Sequence, residues 1–140
     1  MEDLISMIMC VQILADDLHY RSRGTEFYSH HLLADRVKDG LDKQIDAIKE
    51  SYWLGELRVV PPTTDRLMSA ACSFAAAHRE GSKGKSLVGV LLGAVNDLAH
   101  RIEQVKANEK PMSGTTAILD GVSQSMLVAL GLLDRTENAQ

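Results

Sequence analysis

Aromatic residues are scarce in this chain, with two Phe, three Tyr and one Trp making up 4% of 140 residues. Proline occupies three positions, and glycine rarely interrupts the periodic stretches. Leu and Ala dominate instead, with 18 and 14 residues, a balance that favours helices over strands. Cysteine occurs twice, as Cys10 and Cys72, in no CxxC spacing. A disulfide framework and a thiolate zinc knot are thereby excluded, and two buried thiols in a reducing cytosol are expected. The opening MEDLISM is acidic and lacks the basic segment and small-residue cleavage site of a signal peptide. No apolar run is read as reaching membrane-spanning length, so the expectation is a soluble, cytoplasmic protein. Positive charge is also short, since 15 Lys and Arg against 19 Asp and Glu leave a net charge of −4. That balance disfavours tight binding to a phosphate backbone, and DNA binding is expected to be weak or absent. The one basic cluster, Arg79, Lys83 and Lys85, lies in a Gly/Ser loop and reads as a solvated turn.

What the chain does contain is helical periodicity. Hydrophobic content of 45% and charge of 24% suit one globular domain over residues 1–140. Leu4, Ile8, Val11, Ala15 and Leu18 recur at three- and four-residue steps, and Glu2 and Asp3 sit where a helix dipole favours acids, which predicts a helix over about 2–21. A second helix is predicted over 26–53, with Gly55 as its stop. LRVVPPTT cannot continue it past Pro61 and Pro62 and is expected to be an extended crossover. Thr64 is read as the cap of a shorter helix over 65–78, carrying Leu67, Ala71, Phe74 and Ala75. Ser86 opens a helix over 86–108 with Leu87, Val90, Leu91, Ala94, Leu98 and Ile102 in register. A last helix over 115–133 carries Ile118, Val122, Met126, Leu127 and Leu130. Four long helices and one short one predict an all-α four-helix bundle with one long connection, as ferritin-like folds have.

The chemistry concentrates between Leu18 and Gly55. On one continuous helix at about 100° per residue, His31, Asp35, Asp46 and Glu50 fall within an arc of roughly 100°. Leu33, Val37, Leu41, Ile45 and Ile48 occupy the neighbouring arc, which is the stripe that faces the core. His31 and Asp46 are separated by roughly 22 Å along a straight helix, so they cannot share a metal within one chain. Two copies packed antiparallel across a two-fold axis would bring the His31/Asp35 end of one to the Asp46/Glu50 end of the other, giving two sites per dimer. Gly24 permits a tight turn that sets His19 beside His31. Two imidazoles with carboxylates suit iron, manganese or zinc and argue against copper(I) or an iron–sulfur cluster.

The order His19, eleven residues, His31, three residues, Asp35, ten residues, Asp46, three residues, Glu50 resembles that of the Dps-type miniferritins. Gly24 and Phe27 between the histidines and Leu54-Gly55 after the glutamate add to the likeness. It covers about a third of the chain strongly and the rest in helix order. The resemblance implies a ferritin-like fold with a short helix crossing the bundle between helices two and three. It also implies a di-iron ferroxidase centre on His19, His31, Asp35, Asp46 and Glu50, shared between two subunits. Fe(II) would be oxidised there, with hydrogen peroxide as the favoured oxidant, and Fe(III) stored in a hollow dodecamer as protection against oxidative damage. Zinc or manganese are possible substitutes for iron. Tyr20 stands where the family commonly has Trp, and is read as an oxidisable aromatic. The Lys-rich terminal arms of the family are absent, and a shell of twelve subunits would carry about −48 from the charge of each chain.

Simpler readings compete residue by residue. A single His on a helix is more often a surface group, and His30 is read as one. Tyr28, Tyr52 and Trp53 are read as packing residues of the bundle and the interface. Lys49 beside Glu50 competes for the carboxylates. An intrachain diiron carboxylate enzyme needs Glu-x-x-His on two helices, and only Asp97 with His100 approximates it. A metal-free helical assembly or binding module that kept the dimer and lost the chemistry is the main alternative.

Overall fold

The computed structural model describes residues 1–58 and 60–138. The chain is all-α, and no strand occurs among the described residues. In order it forms α1 (Glu2–Arg21), a 3-10 turn (Gly24–Glu26), α2 (Phe27–Lys38), α3 (Leu41–Lys49), a π turn (Glu50–Gly55), α4 (Thr64–Gly81), α5 (Leu87–Glu109) and α6 (Ser113–Glu137). Helix α1 packs against α2, α4 and α5, α5 packs against α6, and α2 and α3 both lie along α6. The core collects one stripe from each of these helices, including Leu4, Ile8, Leu18, Leu41, Leu98 and Leu119, all fully buried.

Local chemistry explains most boundaries. Thr63 caps α4 by accepting from the Arg66 amide at 3.3 Å, one residue before the expected cap. Ser86 caps α5 by accepting from the Gly89 amide at 3.0 Å. Residues 60–63, with Pro61 and Pro62, have no regular structure, as prolines without amide donors require. The expected crossover also includes Val59, which lies outside the described residues. Helix α4 has 18 residues and is longer than expected.

The predicted continuous helix over 26–53 is not present. At Asp39 (φ −56°, ψ 124°) and Gly40 (φ 78°, ψ −6°) the backbone makes a type II turn, whose third position requires a positive φ. Glycine supplies that conformation without steric penalty, and the helix restarts at Leu41. The single-helix arc for His31, Asp35, Asp46 and Glu50 is therefore corrected, because the turn interrupts the 3.6-residue phase between the two pairs. Val37, Leu41 and Ile48 are buried on both sides of the break, and Leu33 and Ile45 pack partly against the core.

Helix α6 brings two further corrections. Leu127, expected in the core, is 62% exposed, and Leu119, Val122, Met126, Ala129 and Leu133 form the buried stripe. By length and composition alone α6 could cross a membrane, contrary to the expectation that no segment reaches that threshold. Its buried stripe nevertheless packs into the helical core.

Candidate metal centre

The site begins at the end of α1. Leu18 anchors the last turn in the core, and the Ser22 hydroxyl donates to the Leu18 carbonyl. Gly24, at φ +79°, reverses the chain, and the short 3-10 turn delivers Phe27 into α2. This reversal lays His31 against His19, with ring centroids 3.6 Å apart and planes tilted by 30°.

The His31 ring is oriented by the backbone. Its Nδ1–H donates to the His19 carbonyl at 2.9 Å, one of the carbonyls that a helix end leaves without an intrahelical partner. Donation from Nδ1 leaves Nε2 as the nitrogen with a free lone pair, the arrangement that presets a histidine for a metal. Phe27 flanks the same ring at 5.4 Å between centroids.

Asp35, one turn beyond His31, brings Oδ1 to 3.0 Å from His19 Nδ1. Yet His19 Nδ1 is buried and has no aligned hydrogen-bond partner. The contact is an ion-pair distance rather than an aligned hydrogen bond. His19, His31 and Asp35 each offer a ligand atom within 4.8 Å of the others, and they are the sole such group among the described residues. Two imidazoles and one carboxylate form a donor set that could hold a divalent metal ion.

Asp46 and Glu50 are exposed and outside this group, Asp46 on α3 and Glu50 at the first residue of the π turn. The chain alone thus gathers three of the five expected ligands. Sequence reading overlooked Asp16, whose carboxylate holds the Lys38 ammonium one turn below the His19–Asp35 pair. The spacings Asp16-x-x-His19 and Asp35-x-x-Lys38, facing each other across α1 and α2, were the available signal. The bond to Asp16 raises the Lys38 pKa above its ordinary value, with burial opposing and the Asp16, Tyr20 and Asp35 charges adding. Gln12 similarly donates to Asp42, tying α1 to α3.

The π turn is fixed from behind. Glu56, nearly buried, accepts from the Met112 amide at 3.1 Å, from Thr115 and from Arg58 at 3.3 Å. Ser51 and Thr115 share a hydrogen bond of 2.7 Å. Burial pushes the Glu56 pKa up, but the bonds from Thr115, Met112 and Arg58 outweigh it and leave the carboxyl below its ordinary value. Tyr52 and Trp53 are buried, whereas Tyr20 and Tyr28 stand in solvent.

The other candidate groups are committed elsewhere. His78 Nε2 lies 3.3 Å from Asp97, and His100 Nδ1–H donates to the Asn96 carbonyl at 2.8 Å, so Asp97 and His100 do not converge. Arg79, expected in a loop, lies in the last turn of α4 and is bound to Asp17 through Nε at 3.0 Å and an Nη at 2.9 Å.

Fold and site together define an all-helical protein with a His–His–Asp cluster at a helix–helix turn. Comparison with protein-family models, with curated proteins and with solved structures finds no match.

Proposed function

We propose that this chain is a ferroxidase and iron-storage protein resembling the Dps-type miniferritins. Its fold would be a ferritin-like bundle of α1, α2–α3, α5 and α6, with α4 as the crossover helix. The observation that supports the reading is the convergence of His19, His31 and Asp35, with Asp35 Oδ1 3.0 Å from the buried His19 Nδ1. The protein would act in the cytoplasm as a homo-oligomer, a dodecamer built from two-fold dimers.

Ferrous iron is the substrate. His19 Nδ1, His31 Nε2 and Asp35 would hold it from one subunit, and Asp46 and Glu50 of a second subunit would complete the centre, Glu50 being the expected bridge to a second iron. Two ferrous ions give one electron each to hydrogen peroxide, which takes up two protons and leaves as two waters. Paired transfer avoids releasing a hydroxyl radical. Ferric iron then moves into the hollow interior. Zinc or manganese would fit the same donors without this redox step.

The test is an anaerobic ferrous titration followed by peroxide, read by absorbance and light scattering, on wild type, His31→Ala and Asp46→Ala. Each variant alone should leave iron oxidation at the buffer rate. Mixed and reassembled, half of the dimers pair the two variants and each holds one intact centre, so about a quarter of the wild-type rate should return. A folded wild type that binds no iron would leave the metal-free helical assembly as the function.

A further inference from the structure

Beside Glu50 the π turn and the segment after it form an apolar groove of about 540 Å³, lined by Trp53, Leu54, Leu57, Val60 and Pro61. Leu54 is 72% exposed, Leu57 89% and Val60 87%. Leu57 holds a left-handed φ of +54°, a backbone conformation that a leucine disfavours. At the other end of the α2–α3 segment, beside His31, Phe27 and Tyr28 project from the first turn of α2 with 40% and 71% of their surface in solvent. A folded chain rarely leaves apolar patches of this size uncovered without a partner for them.

We propose that Phe27 and Tyr28 of a second copy of this chain occupy this groove, clamping the two-fold dimer at both ends of α2–α3. The inference rests on the shared-centre reading and extends it to what holds the centre together. An antiparallel contact that brings His31 to Glu50 and Asp35 to Asp46 pairs residues whose numbers add to 81. The same register sets the exposed Phe27 against the exposed Leu54, whereas Trp53, opposite Tyr28, is itself buried. The register places the two-fold axis at the Gly40–Leu41 junction, where the helix breaks into two arms.

One symmetric contact then buries both projections and both grooves, with no half left over. Phe27, Tyr28, Leu32, Leu54, Leu57 and Val60 together expose on the order of 800 Å² per copy, the area that each partner of a standard-size interface covers. Asp46 and Glu50 lie between the clamps, so the carboxylates would be delivered to His31 and Asp35 by packing rather than by the metal.

The test uses Phe27→Cys and Leu54→Cys, each in a Cys72→Ala background; Cys10 is buried. Both substitutions are at exposed sites, and circular dichroism checks that the helices persist. Mixed chains under mild oxidation should give a disulfide-linked dimer, and neither variant alone should. Absence of the mixed product, or equal linkage of either variant with itself, overturns the proposal. Leu54→Lys should convert the assembly to monomers in sedimentation equilibrium, and retention of the wild-type mass overturns it too. Cross-linking with iron oxidation at the buffer rate keeps the clamp and removes the ferroxidase reading. Oxidation at a shared centre without the cross-link does the reverse.

Discussion

Replacing Gly40 by alanine has opposite effects in a continuous helix and in the observed turn. In a helix interior the exchange would stabilise by about 1 kcal/mol, because glycine is the poorer helix former. At a φ of +78° the added Cβ disfavours the backbone by roughly 1–2 kcal/mol, against a few tenths regained from a less flexible unfolded chain. Nothing lies within 4 Å of that Cβ, so the penalty is conformational and no clash adds to it. The net expectation is a loss of about 1 kcal/mol, which lowers Tm by roughly 2–6 °C in a chain of this size. Gly40→Asn should lose less, since asparagine tolerates the left-handed region. Thermal and urea unfolding at matched protein concentration are the assays. A Gly40→Ala protein more stable than wild type would refute the break and restore the straight helix.

Glu56→Gln should destabilise at neutral pH by about 1–3 kcal/mol, because a buried charged acceptor of several donors is lost. Since the folded pKa lies below the ordinary 4.5, the wild-type advantage is fully present above that value and fades as pH falls through the folded pKa. Equal acid slopes for the two proteins would contradict this. Burial, with the Asp97 and Cys72 charges adding and Arg79 opposing, pushes the Cys10 thiol up to about 11. Cys72 is exposed, so a disulfide reagent at pH 8 should modify one thiol per chain quickly and the second only after unfolding; two equal phases would refute the burial. Leu98→Ala, at a fully buried core position of α5, should cost about 2–5 kcal/mol in urea unfolding, and a loss below 1 kcal/mol would show that the site collapses around the cavity.

Much of the architecture was legible in the sequence because helix periodicity is local. The stripe Leu4, Ile8, Val11, Ala15 and Leu18 and the stripe Val90, Leu91, Ala94, Leu98 and Ile102 are buried as their spacing requires. The four-residue step from His31 to Asp35 likewise guarantees a shared face within one turn of helix. The break at Gly40 was less legible, since a single glycine in a periodic run is compatible with both a helix and a turn. Its effect falls on the ligands, because Asp46 and Glu50 follow the turn and lose their phase relation to His31.

Composition and spacing by themselves determined an all-helical chain and a His31–Asp35 pair one turn apart on one helix face. Only the tertiary structure decided that Gly24 folds His19 onto His31, that a helix-end carbonyl orients the His31 ring, and that Asp35 Oδ1 comes within 3.0 Å of the buried His19 Nδ1. Asp16 with Lys38, and Glu56 with Met112 and Thr115, meet across chain separations that no local pattern encodes. Periodicity reports the side of its own helix on which a residue lies. What stands opposite that side is set by how the helices pack, and the chemistry of this site depends on it.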